Sequence, residues 1–308
     1  MSSDNFHNLP SEILAIICLE LPTSSLKEFS LVDRRCRALS LPILFRTVHV
    51  SFSTRGLNEF YSFAHSGLAS QVRVLCYDVS EIIDPLVQHW DYFTTCIYTP
   101  QEYSRDQREF GWGLREKAFS YRSIHSGFLD LIESQQRALV DRQDIQVLCN
   151  CVQRLVRLTT IRLSFSEPDR SQLLWFSSRV FLDWEYSFPV HLEAILCCIQ
   201  SAQSQGIRVS SLEITGFYAS ITNVALVDLA TAALSDIKHL YLYDSVNLLS
   251  WLADIPLPSL MEVEIGHCWI VGCDLHMFRE KHDPDCTKLS LQDVQLYGHC
   301  EGNPCVIY

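Results

Sequence analysis

What this 308-residue chain has little of already narrows what it can be. Glycine and proline number only 11 each, too few for a collagen-like or low-complexity chain. No apolar run approaches the roughly 18 residues of a membrane span, so no transmembrane helix is expected. Basic residues are also short: 24 Lys and Arg stand against 36 Asp and Glu, a net charge of −12. That balance argues against nucleic acid or an anionic membrane as the main partner, since both need a basic footprint. The N-terminus lacks the basic region of a secretory signal, its first apolar run is broken by Glu12 and Glu20, and no N-x-Ser/Thr sequon occurs. The phosphate-cradling GxxxxGK[ST], dinucleotide GxGxxG, zinc-protease HExxH and nucleophile-elbow GxSxG patterns are all missing.

Cysteine, by contrast, is plentiful. Thirteen is an odd number, and they scatter over helix-like and strand-like segments. Buried free thiols in a reducing compartment are the plain reading, so a cytoplasmic or nuclear location is expected. With 48% hydrophobic residues the chain can bury a substantial core in one or two domains. The acidic excess is local: residues 209–308 hold 13 Asp and Glu against 4 Lys and Arg, whereas residues 1–50 balance at 5 and 5. Such a run is either a solvated face or complementary to a basic partner.

Residues 9–46 read as short helices. In "LPSEILAIICLELP" (9–22), Ile13, Leu14, Ile16, Ile17, Leu19 and Leu21 spread around most of a helical wheel. A helix apolar on every side is buried on every side, and this one lies near a terminus. Pro22 stops it, Ser25-x-x-Glu28 reads as a capping box, and "LKEFSLVDRRCRAL" forms the next run, ended by Pro42.

Beyond residue 45 an internal pattern appears, apolar-x-x-apolar-x-apolar, the signature of a short strand led in by a packed residue. It begins at Phe45, Val72, Leu158, Val209, Ile237, Leu260 and Cys286, with gaps of 27, 86, 51, 28, 23 and 26. Four gaps fall in the 20–29 range of leucine-rich repeats, while 51 is about two such units and 86 about three. The unit at Leu260 extends furthest, through Cys268 and Ile270. Helical stripes fall between these strands at 145–157, 191–200 and 224–234. Residues 81–144 interrupt the period with an aromatic-rich insertion, either a binding face or an extra layer packed on the array.

Candidates for chemistry are few. Cys268, Cys273, Cys286, Cys300 and Cys305 gather with His267, His276, His282 and His299, but only Cys273-x-x-His276 has a short ligand spacing, and no metal site is expected. Cys149-x-Cys151 and Cys197-Cys198 lie in helical patterns, where Cys acts as a small apolar residue. A Cys–His nucleophile pair stays open as an alternative, because such partners meet in space. "HDPDC" (282–286) and the two "HSG" triplets at 65–67 and 125–127 read as turns. No residue emerges as catalytic, and no cofactor is implied.

The first 50 residues resemble an F-box. The likeness rests on Leu9-Pro10-x-Glu12-Ile13-Leu14-x-x-Ile17-x-x-x-Leu21, then Leu26, Ser30-Leu31-Val32-x-Arg34-x-x-Arg37 and Leu41-Pro42-x-Leu44-Phe45. The version is similar to that of fungal F-box proteins, whose motif runs on into a strand such as Arg46–Val50. The rest is similar, more loosely, to their divergent leucine-rich-repeat-like regions. Two positions depart: Asp33 stands where the family often has Cys, and Cys36 where it has Trp. Losing that aromatic anchor bears on adaptor affinity more than on the fold.

The resemblance implies an α/β protein: a three-helix F-box at 1–50, then a leucine-rich-repeat-like solenoid with parallel strands at 51–308, carrying a helical insertion at 81–144. It implies a substrate-recognition subunit of a Skp–cullin–F-box (SCF) ubiquitin ligase, not itself an enzyme. The F-box would dock on a Skp-type adaptor, and through it a cullin, and the array would hold a substrate protein. Carried over by position, Leu9, Pro10, Ile13, Leu14, Ile17, Leu26, Leu31 and Val32 are the adaptor-facing or motif-core residues. The first helix is expected to lean on the run containing Phe29, Leu31 and Val32. The alternatives are an F-box module acting outside a ligase and an enzyme with a Cys–His site.

Overall fold

A parallel sheet organises the chain. The computed structural model describes residues 9–79, 82–109, 120–165, 184–217, 221, 224–245, 248–282 and 288–297. Three helices come first: α1 (Ser11–Glu20), α2 (Thr23–Phe29) and α3 (Arg34–Leu44). Then follow β1 (Thr47–Ser51), α4 (Thr54–Ala64), β2 (Val74–Val79), the single turn α5 (Trp90–Tyr92), α6 (Pro100–Glu109), α7 (Tyr121–Leu139), α8 (Gln143–Val152) and β3 (Thr160–Phe165). The remainder alternates: α9 (Trp184–Ser204), β4 (Ser211–Thr215), α10 (Val224–Ala233), β5 (His239–Tyr243), α11 (Leu248–Ala253), β6 (Glu262–Gly266), β7 (Trp269–Val271), α12 (Gly272–Lys281), β8 (Lys288–Gln292) and β9 (Gln295–Tyr297). The protein is therefore α/β, with a seven-stranded parallel sheet in the order β1-β2-β3-β4-β5-β6-β8 and a separate parallel pair, β7-β9.

The seven strands of the large sheet are the seven segments that carry the apolar pattern. Each pairs with its predecessor in sequence at offsets of 27, 86, 51, 28, 23 and 26 residues, the same as the gaps in the pattern. A slip of one residue would turn every apolar side chain outward, so the alternation holds the register. One row reads Val48, Leu75, Ile161, Leu212, Leu240, Val263, Leu289, and the next Val50, Tyr77, Leu163, Ile214, Leu242, Ile265, Leu291. From β2 to β6 these side chains are buried beneath the crossover helices, as are the lead-in residues Val72, Leu158, Val209, Ile237 and Leu260. Among the described residues the intervals of 86 and 51 residues hold no further unit. No strand intervenes among those residues, and each interval is one long crossover between neighbouring strands.

A backbone feature repeats with the strands. The residue after each of β4, β5, β6 and β8 has positive φ: Gly216 (76°), Asp244 (50°), His267 (55°) and Asp293 (51°). The first three donate their N–H to the carbonyl of the last residue of the next strand, Tyr243, Gly266 and Gln292, at 2.9–3.0 Å. Asp and His tolerate this left-handed conformation better than most side chains. Gly216 also has no room for one, since a Cβ there would lie 2.9 Å from the Phe165 carbonyl oxygen.

The insertion builds a small core of its own from Ile83, Val87, Phe93, Ile97, Tyr98, Ile124, Phe128 and Ile132. Its aromatics mostly meet one another, with Phe93 and Phe128 centroids 6.0 Å apart and Trp90 and His125 5.1 Å apart. Phe110, Trp112 and Phe119 lie outside the described residues. The second "HSG" triplet is helix rather than turn. His125 is buried within α7, its Nε2 3.1 Å from the Val87 carbonyl oxygen, because the amphipathic stripe of a 19-residue helix overrides a local turn signal. The first triplet follows α4 and is a turn.

Candidate interaction surfaces

Two surfaces stand out, one at each level of the fold. The first is the N-terminal helical unit. Its buried side chains are few, Leu14, Cys18, Leu26, Cys36 and Ser40, and none belongs to the main core. The run 26–39 does not form one helix. It breaks after Phe29, and Leu31 and Val32 lie in the turn before α3. Asp33 causes the break: as N-cap of α3 its carboxylate accepts the Cys36 backbone N–H at 2.6 Å. The anticipated capping box is unused, because α2 begins at Thr23 and holds Ser25 and Glu28 inside it. Pro42 lies inside the last turn of α3 rather than ending it.

Helix α1 packs on α3, while Leu31 and Val32, the residues it is expected to lean on, face solvent. Cys18 Sγ sits 3.9 Å from Ser40 Oγ, and the Arg35 guanidinium donates to Ser11 Oγ at 3.0–3.1 Å and to the Leu9 carbonyl. Cys36 of α3 is completely buried, and burial, with Asp33 adding to it, pushes its thiol up to about 11.

The eight sequence-derived residues fall into groups on this framework. Leu14 and Leu26 are interior, Leu9 and Ile17 half-buried, and Pro10 exposed. Ile13 (43% exposed), Leu31 (78%) and Val32 (58%) face solvent, as do Ile16 (58%) and Leu19 (65%), which the motif did not single out. The i, i+3, i+6 spacing of Ile13, Ile16 and Leu19 is the signal that would have found the last two. Large aliphatic side chains thus stand exposed in a row on a unit with a small interior, which scattered surface apolar residues do not do.

The second surface is the other face of the sheet. All-parallel sheets normally have both faces covered. Here the alternate residues are mostly polar and half-exposed, with Cys76 buried, and the register aligns them as His49, Cys76, Arg162, Glu213, Tyr241, Glu264, Ser290. Neighbouring rows carry Asp78, Tyr243 and Gln292 on one side and His239, Glu262 and Lys288 on the other. The groups are cross-linked. Arg162 Nε donates to Glu213 Oε2 at 2.7 Å, His49 Nδ1 lies 2.8 Å from Asp78 Oδ2, and Lys288 Nζ donates to Glu262 Oε1 at 2.7 Å. The Lys288 ammonium holds the Glu262 carboxyl below its usual range. Tyr243 O–H and Gln292 Nε2 both donate to Glu264 Oε1, at 2.6 and 2.8 Å. Partial burial, then the bond to Glu264, raises the Tyr243 phenol.

Sites of other kinds are thinly supported. Among the described residues no group of three or more His, Cys, Asp and Glu converges as metal ligands, and no helix is long and apolar enough to cross a membrane. Cys286, Cys300, Cys305 and His299 lie outside those residues, as does most of "HDPDC". Burial raises the thiols of Cys76, Cys149 and Cys151 to about 11, and those of Cys197, Cys198 and Cys268 in the same direction. That is the reverse of thiolate activation. A buried charged cluster joins Arg142, itself left-handed with φ 51°, to Asp144 (3.3 Å), Glu193 and the Val190 carbonyl (3.2 Å), and so ties the start of α8 to α9. The buried Tyr77 phenol is driven well up by its burial and then by Asp144.

Comparison with known proteins finds no family model that matches the chain and no matching curated protein.

Proposed function

We propose that the chain is a non-enzymatic substrate-recognition subunit of an SCF ubiquitin ligase. In this reading α1–α3 are the F-box that docks on a Skp-type adaptor, and the sheet with its crossovers is an irregular leucine-rich-repeat-like solenoid that holds a substrate protein. The observation that carries the first part is the exposed row Ile13, Ile16 and Leu19, with Leu31 and Val32, on a unit whose interior holds four apolar side chains. A domain of about 40 residues sits near the limit for folding alone. A specific interface covers about 800 Å² per partner with an apolar centre, which would take up these side chains. Strands stacked in sequence order, and the left-handed turn repeated after β4, β5, β6 and β8, support the second part. Leu14 and Leu26 belong to the motif's interior in this reading, and Ile13, Leu31 and Val32 to its contact surface.

Co-expression with a Skp-type adaptor followed by size-exclusion chromatography tests the proposal. Co-elution at micromolar concentration is expected, and separate elution overturns it.

A further inference from the structure

The open sheet face has a feature that adaptor docking does not use. Tyr241 stands in the middle of a row with Glu213 one strand away on one side and Glu264 one strand away on the other, each about 5 Å off by sheet spacing. Beside it the Tyr243 ring lies flat across β6. Gly266 makes the room, since a Cβ at Gly266 would meet Tyr243 Cδ1 at 2.7 Å and Cε1 at 3.0 Å. From there the Tyr243 hydroxyl reaches Glu264 Oε1, which Gln292 holds from the other side.

Glu264 is thus fixed by two neutral donors that both use one oxygen. Its Oε2 accepts no hydrogen bond and meets no cation within 4 Å among the described residues. The carboxylates Asp78, Glu213, Glu262 and Glu264 outnumber the cations Arg162 and Lys288 on this face. An aromatic ring flanked by carboxylates, one of them oriented and short of a cation, is the arrangement that receives a guanidinium or ammonium group.

We infer that this face binds a basic peptide segment of a partner protein, an Arg or Lys side chain lying over Tyr241 and bonding Glu264 Oε2. The inference rests on reading the sheet face as the substrate-holding part, and it names the chemistry of that substrate. The carboxylate supplies charge, and the Tyr241 ring in the next strand supplies an aromatic surface that a solvated acidic patch lacks.

Fluorescence anisotropy with a labelled octapeptide of alternating Arg and Ser tests it at 150 mM salt. Binding is expected, weakened about fivefold by Glu264→Gln and by Tyr241→Ala, the size of one such contact. Glu280→Gln, which removes an exposed charge from α12, should leave it unchanged. No binding, or equal weakening by all three variants, overturns the inference, because equal weakening means attraction to net charge alone. Adaptor co-elution of the same preparations separates the two questions. Variants that keep the adaptor while the parent fails to bind peptide refute the substrate chemistry and leave the docking proposal standing.

Discussion

Replacing Ile16 and Leu19 together by alanine separates docking from folding. Their side chains are 58% and 65% exposed, so the helical unit already holds them only in part. Full burial of an Ile or Leu is worth about 1.5–3 kcal/mol, and the share left exposed here comes to about 1–1.5 kcal/mol each. If the adaptor covers both, the double variant should bind about 2–3 kcal/mol more weakly, a factor of roughly 30 to 150 in Kd. Thermal unfolding should move less than binding, because the share of each side chain already buried on the unit is worth only about 0.5–1.3 kcal/mol. Leu14→Ala gives the opposite signature: it opens a cavity between α1 and α3 at a cost of about 2–5 kcal/mol, more than so small an interior can spare. Calorimetric titration with the adaptor and circular dichroism read the two quantities separately. A double variant that binds within about threefold of the parent would refute the assigned surface. So would one that melts as Leu14→Ala does.

Two further outcomes follow from individual contacts. Asp33→Ala removes the cap on the Cys36 N–H and should cost about 1 kcal/mol, seen as roughly fivefold faster amide exchange along α3 with the sheet amides unchanged. His282 is held below its ordinary value of 6.5, first by burial, and its ring lies 3.2 Å from the Leu252 carbonyl oxygen. Well above pH 6.5 both folded and unfolded forms are neutral there. Below it the unfolded chain takes up a proton that the folded one resists, so stability falls as pH drops through and below 6.5. Urea unfolding between about pH 5 and 7.5 should show a shallower decline in His282→Asn than in the parent, and equal slopes would contradict the assignment.

The strands were readable because burial on one face leaves a period-two trace with a lead-in residue, and that trace survives even where Tyr77 replaces an aliphatic. The helices between them were readable for the same reason, with ends displaced where a turn rather than the helix brings a side chain inward. Leu155 is such a case, buried after α8 has ended at Val152. What escaped was set by single backbone positions. The run 26–39 looks continuous until Asp33 is seen to accept a bond from Cys36, and three of the four left-handed turns carry Asp or His, which look ordinary beside Gly216. The candidate cation site sits in the unassigned positions of the repeat pattern. Glu213, Tyr241 and Glu264 become neighbours only through the ladders β4–β5 and β5–β6, over separations of 28 and 23 residues.

The equality between sequence gap and ladder offset has a consequence for how such a chain can change. Between β2 and β3 it spends 86 residues and between β5 and β6 only 23, yet both pairs meet without a slipped residue. Length is absorbed entirely in the crossovers, so a crossover can gain or lose a helix while the outward row from His49 to Ser290 keeps its order. The insertion after β2, with an interior of its own, is one such elaboration. Change in its length and change in the outward row are then separable, and each is free to vary without the other.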